Sequence, residues 1–419
     1  MKTAQKISFP REFIRLIPKT DLHVHLDGSL RLQTLIDLAR TERVKLPSFE
    51  PGGLRELVFK DKYASLREYL LGFQYTCAVL NKADHLERVA FELAEDNIAE
   101  GVRYVEPRFA PQLHVQPGLT MEHAVSAVAR GLDRARRSHN ATRAVTQGKD
   151  LPFEFGIIVC AMRAFNSRMG HYFRELLSVM PGAPRREVYV AASLELVREA
   201  IDLRDRCGLP IVGFDLAGEE AGYPACDHVK AYQQAQDNFL KKTVHAGEAY
   251  GPESIFQAIT CCHTNRLGHG TFLFAQDMLQ DKSIVNPSRF VDQLVEYIAS
   301  ERIPVEVCPT SNLQTSPQIL LMQDHPLRHM LKHNLSICIC TDNRLVSNTS
   351  VTGELEKVAE NMSVTRRDFR NLIIAGFKGS FFAGSYNEKR QFVRKAIRRY
   401  DLLARRWLGP DHSVSDEMG

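Results

Sequence analysis

The segment Asp21-Leu-His-Val-His-Leu-Asp27 decides the fold. It alternates apolar and polar residues as a β-strand does, and in a strand residues i and i+2 share a face. His23 and His25 therefore point to one side, while Leu22, Val24 and Leu26 point to the other. An acidic turn, Asp27-Gly28-Ser29, follows at once. Five later segments repeat the scheme of a β-rich run ending in a group that holds a metal or moves a proton: Asp215-Leu-Ala-Gly218, His245-Ala-Gly-Glu248, Gly268-His-Gly270, Cys308-Pro-Thr-Ser-Asn312 and Thr341-Asp-Asn343. In a (β/α)8 barrel the carboxyl ends of all eight strands meet at one mouth, so groups far apart in sequence can surround one site.

Strand candidates alternate with helical stretches in the rhythm of a parallel sheet. The strands read as Leu22–Leu26, Val102–Phe109, Phe155–Met162, Ile211–Leu216, Thr243–Ala246, Arg266–Gly270, Val305–Cys308 and Ile337–Thr341. The expected fold is an α/β TIM barrel with a helical lid inserted after strand 1 and extra helices at the C-terminal end. The lid spans about residues 40–80, with Tyr69, Leu70 and Phe73 on one face. Ser29 is the expected cap of the first helix. The polar, basic stretch Arg134–Leu151 reads as a solvated loop, and Asp411–Gly419 as a frayed tail.

A chain of 419 residues fits one elaborated barrel, so residues 1–419 are taken as a single domain. With 44% hydrophobic and 25% charged residues it has the composition of a folded enzyme. The charge of +4, from 54 basic and 50 acidic residues, argues against nucleic acid as a partner and favours a small molecule. Nine cysteines, mostly in apolar runs, read as reduced core residues. The start, Met1–Pro10, has no apolar stretch behind it, and no long apolar segment occurs elsewhere. The expectation is a cytoplasmic protein without membrane contact; oligomeric state is not legible.

Two imidazoles side by side suit zinc. His245 joins them from the fifth strand with Glu248 three residues on, and Asp342 ends the eighth, where a buried carboxylate needs a metal or a cation. Three histidines and one aspartate leave a position for water, as a catalytic zinc requires, and zinc brings the pKa of water from about 16 toward about 7. Glu248 is then the proton donor, and His269, between two glycines, holds or deprotonates the water. His85-Leu-Glu87 lacks the P-C-x-x-C that a cytidine-type deaminase needs, no H-E-x-x-H occurs, and no lysine at the fourth strand offers to bridge two metals.

These pieces, together with Tyr104-Val-Glu-Pro-Arg108, Arg266-Leu-Gly-His-Gly270 and Glu306-Val-Cys-Pro309, resemble the adenosine deaminases of the amidohydrolase superfamily, in the family's order from His23 to Asp342. The resemblance implies one Zn2+ per chain, held by His23, His25, His245 and Asp342, and hydrolysis of the 6-amino group of adenosine or deoxyadenosine. It implies that Glu248 protonates purine N1 and His269 orients the attacking water. Gly218 would give a backbone N–H to the purine, and Asp27 would meet the ribose 5'-hydroxyl. Where the family often has a second aspartate contacting purine N7, this chain has Asn343, whose amide can donate to an acceptor as it stands. A modified adenosine such as aminodeoxyfutalosine, free adenine, and a non-catalytic barrel that only binds are the alternatives.

Overall fold

The computed structural model describes residues 8–410; the expected frayed tail and the first seven residues lie outside them. Eight parallel strands follow one another around the sheet in chain order: β1 (Lys19–His25), β2 (Val102–Phe109), β3 (Ile157–Met162), β4 (Ile211–Ala217), β5 (Lys241–Ala246), β6 (Arg266–His269), β7 (Val305–Val307) and β8 (Ile337–Ile339). A two-residue piece, Glu154–Phe155, pairs with β2 just ahead of β3. The chain beyond β8 closes the ring onto β1. Asp342 N donates to His23 O at 2.7 Å and His25 N donates to Asp342 O at 2.7 Å, so Val24 and Asp342 form a parallel bridge. Every residue of β1 and β2 is buried, as expected for strands with side chains on one side in the barrel and on the other under helices.

Each expected strand is present, shifted by at most a few residues. The inserted segment folds as three short helices, Pro51–Leu57, Leu66–Leu70 and Phe73–Val79, the second capped by the Ser65 side chain accepting from Glu68 N. After β8 come helices Val351–Asn361, Arg366–Gly379 and Tyr386–Leu408. Thr365 with Asp368, and Ser385 with Glu388, form reciprocal capping boxes that fix where the last two begin.

Three expectations need correction. Ser29 does not cap the helix after β1, which starts at Leu32 with Arg31 at the uncapped end; the Ser29 hydroxyl instead accepts from Arg344 N at 3.0 Å, tying the turn after β1 to the segment after β8. The stretch 134–151 is not a loop throughout. Helix Met121–Asn140 runs through its first residues and a short helix, Arg143–Thr146, follows. Arg136 and Arg137 pair with Asp133 at helical spacing, while Arg134, and Arg130 a turn before it, reach Glu87 on the neighbouring helix. A basic run balanced by one acid a turn back and another on the neighbouring helix has no reason to leave the helix.

Third, one cysteine pair is oxidised. Cys226 and Cys261 are bonded with Cα atoms 5.4 Å apart, while seven other cysteines are free. The bridge joins the 3₁₀ turn Ala225–His228 to the residue after helix Pro252–Thr260 and closes a loop of 35 residues. A loop of that length removes up to about 4 kcal/mol of unfolded-state entropy. Cys226→Ser should therefore lower the melting temperature of the oxidised protein. In strong reductant the variant and the parent should melt together.

Candidate active site

The inward-facing groups of β1 and β5 and the residue that closes the barrel converge at the mouth. His245 Nε2 lies 3.1 Å from His23 Nε2 and 3.0 Å from His25 Nε2, and Asp342 Oδ1 lies 3.6 and 3.5 Å from the same two nitrogens. Ligand atoms of His23, His245, His269 and Asp342 all fall within 4.8 Å of one another. Gly268 makes the approach possible, since a Cβ there would stand 3.1 Å from both His23 Cε1 and His245 Cα.

The other face of each ring explains the orientation. His23 Nδ1 pairs with Glu306 Oε2 at 2.8 Å, and His245 Nδ1 pairs with Asp215 at 3.1 Å. A carboxylate accepts only, so Nδ1 carries the proton and Nε2 offers its lone pair to the centre. Beneath lies a buried charge network. Arg108 donates to Asp215 and to Glu306, both at 2.8 Å, while Arg266 donates to Glu306 at 2.5 Å and pairs with Glu106 at 2.6 Å. Burial alone would push the Glu306 carboxyl up, but the two guanidiniums hold it well below the usual range. Asp215 is held low in the same way by His245 and Arg108. Burial lowers the pKa of His25 and His245, so both are neutral and free to ligate.

His269 differs. Leu327 N donates to His325 Nδ1 at 3.0 Å, which places the His325 proton on Nε2. That nitrogen donates to Asn312 Oδ1 at 3.2 Å, and the Asn312 amide donates to His269 Nδ1 at 3.0 Å. By this relay His269 keeps its proton on Nε2, which is buried without a partner and lies 3.7 Å from Glu248 Oε1. It faces the centre as a donor where His23 and His245 face it as acceptors. Burial, the Asp342 charge and Glu220 push the Glu248 carboxyl well above its ordinary range, so it is a neutral acid. Asp342 Oδ2 accepts from the Ser311 hydroxyl at 2.6 Å.

Glu220 holds the loop that carries Glu248. Its buried carboxylate accepts from Gly247 N at 2.7 Å, Glu248 N at 3.0 Å, Ala249 N at 2.6 Å and Tyr250 N at 2.9 Å, and from the Ser254 hydroxyl. Four consecutive amides on one carboxylate leave that backbone little freedom.

The remaining expected residues line the same mouth. Gly218 follows β4 at φ 103°, a conformation open to glycine. Asp27 is buried with Oδ1 unpartnered, and burial pushes it up to about 7. The Asn343 amide donates to the Tyr69 hydroxyl at 2.8 Å, with its Oδ1 unpartnered. The lid residue Tyr69 is thus bonded to the barrel rim, and the Phe73 ring stands edge-on to His25 with centroids 6.4 Å apart. Asp215, Ser311, Asn312, Arg108 and Glu306 fall in the segments quoted from the sequence without an individual role, and Glu220 falls outside them. The charged residues inside apolar strands were a usable signal; nothing in the sequence marks Glu220 over Glu219.

Residues 18–398 match the family model described as adenosine deaminase. The chain belongs to the adenosine deaminase family. An adenosine deaminase of Mycobacterium marinum is 34% identical over 395 residues, covering 93% of this chain and 97% of its own. Among solved structures, an amidohydrolase of Burkholderia ambifaria with bound zinc superposes with a TM-score of 0.72 at 20% identity, over 96% of this chain and 97% of its own. An adenine deaminase of Arthrobacter aurescens gives 0.70 at 22%, over 91% and 98%. The recognised family and the barrel are those expected from the sequence. Among the described residues no helix is long and apolar enough to cross a membrane.

The charge network yields a stability prediction. Glu306→Ala leaves Arg108 without one of its two carboxylates, and Arg266 likewise, in a site closed to water. Removing one partner of such a network costs about 3–5 kcal/mol. Urea unfolding of Glu306→Ala should show a loss of that size.

Proposed function

We propose that this member of the adenosine deaminase family hydrolyses the 6-amino group of adenosine and 2'-deoxyadenosine, giving inosine or deoxyinosine and ammonia. The observation that carries the reading is a neutral, buried Glu248 beside an inward-facing His269 N–H at the edge of converging imidazole lone pairs. That combination offers a proton to the purine, a donor to hold water, and ligands for a divalent ion.

His23, His25, His245 and Asp342 are the groups that would hold Zn2+. Their fit rests on the Nδ1 protons of His23 and His245, the lowered pKa of His25 and His245, and the carboxyl of Asp342, which burial would raise but the surrounding imidazoles hold low. Zinc held there supplies a Lewis acid that makes water nucleophilic at neutral pH. His269 orients the attacking water through Nε2–H. Glu248 donates its proton to N1 of the purine, so electrons from the attacked C6 end on a neutral nitrogen rather than as an anion. One proton of the water leaves with the amino group as ammonia and the other restores Glu248, while N1 keeps the proton it received, which balances as adenosine plus water to inosine plus ammonia. Gly218 N–H and the Asn343 amide donate to the ring nitrogens. Asp27 accepts from the ribose 5'-hydroxyl.

The first test is ammonia release from adenosine, deoxyadenosine, adenine and a 5'-substituted adenosine such as aminodeoxyfutalosine. Turnover led by the two nucleosides is the expected result; preference for the 5'-substituted compound would reassign the substrate, and for adenine would remove the role of Asp27. Glu248→Gln should keep one zinc per chain while kcat drops about 100- to 10,000-fold, whereas His25→Ala should lose the metal.

A pH profile adds a sign. Turnover needs protonated Glu248, whose pKa is raised, so activity should persist to neutral pH and fall as pH rises through that value. A rate that climbed across the alkaline range would contradict the assignment of Glu248 as acid.

A further inference from the structure

A second group of ligand atoms lies under the lid, built by three elements. Asp27 comes from the turn after β1, Cys77 from the lid helix Phe73–Val79, and His114 from just beyond the turn Pro111–Leu113 that follows β2. Their donor atoms all lie within 4.8 Å of one another, with His114 Nε2 3.9 Å from Asp27 Oδ2. Two of the donors are buried without any partner: Asp27 Oδ1 and His114 Nε2. His114 Nδ1 donates to Leu80 O at 3.1 Å, so its Nε2 carries a lone pair. Burial lowers the ring's pKa to about 4, which keeps it neutral. An imidazole with one N–H spent on a backbone carbonyl and the other nitrogen aimed at a carboxylate and a thiol is oriented as metal-binding histidines are. With Asp27 ionised the two orphaned acceptors cannot satisfy each other, and a thiol has one proton for both.

We propose that Asp27, Cys77 and His114 form a second divalent-metal site that takes a thiophilic cation of the Zn2+ type. Nitrogen, sulfur and carboxylate oxygen are the ligands zinc accepts, and a thiolate with a carboxylate balances its charge. Binding would form a metal–sulfur bond and release to solvent the Cys77 proton and any proton on Asp27, with no change of oxidation state. The ion would pin the lid to the rim of strands β1 and β2. Asp27 is also the carboxylate assigned above to the sugar hydroxyl, so the decisive measurement reads the metal and not turnover.

Enzyme holding one equivalent of zinc should be titrated with Co2+ and followed in the near ultraviolet. The histidine-rich set contains no sulfur, so a thiolate-to-cobalt charge-transfer band reports only a site with cysteine. The expected result is a band that saturates at one further equivalent and vanishes in Cys77→Ser. No band in excess Co2+, or an undiminished band in Cys77→Ser, would overturn the proposal. If Cys77→Ser does not fold, His114→Gln supplies the same decision: by equilibrium dialysis the second equivalent should bind at least about tenfold more weakly, and unchanged binding would sink the site. Either outcome leaves deamination at the first site to be judged by its own assay.

Discussion

Everything at the mouth depends on a carboxylate–guanidinium network sealed inside the barrel. Arg108 and Arg266 hold Glu306 and Asp215 ionised where burial would otherwise protonate them. Those carboxylates then take the Nδ1 protons of His23 and His245 and turn both lone pairs inward. A buried ion network is a weak source of stability compared with well-packed apolar residues. Its return here is orientation. Three carboxylates against two guanidiniums leave a negative balance beneath the imidazoles, which suits a cation above them.

Two tautomers are set by two different devices. His23 and His245 present acceptors because carboxylates lie behind them. His269 presents a donor because a chain running from Leu327 N through His325 and Asn312 reaches its Nδ1. Histidines within one small space are thereby divided between acceptors and a donor facing the centre, with no difference in residue type. The backbone takes part: His269 at φ 64° and Asp342 at φ 59° occupy the left-handed region, which costs about 1–3 kcal/mol each and persists only where neighbours enforce it.

Much of this was legible in the sequence. The alternation in residues 21–27 put His23 and His25 on one face, and each functional residue sat at the end of a recognisable strand because the barrel places strand ends at one mouth. The partners were harder to read. Arg108 to Glu306 spans 198 residues, and strand periodicity says which way a side chain points but not what it meets. Ser29 misled because a serine before an apolar run reads as a cap, while a long-range bond to Arg344 competes for its hydroxyl. The end of helix Met121–Asn140 was hidden because a run of arginines looks solvated until its acidic partners are counted. The Cys226–Cys261 bridge depends on two turns meeting in space, which no spacing reveals.

The barrel's seam has a bearing on how the protein is made. Asp342 closes the ring through main-chain bonds to both His23 and His25 and also supplies its own carboxylate to the centre. The first and last strands cannot meet until roughly three hundred residues between them have left the ribosome, and loops of that length are slow to close. A chain that ends before Asp342 therefore lacks both the closing main-chain bonds and one carboxylate of the centre. The contact that completes the barrel is the one that completes the group of side chains at its mouth.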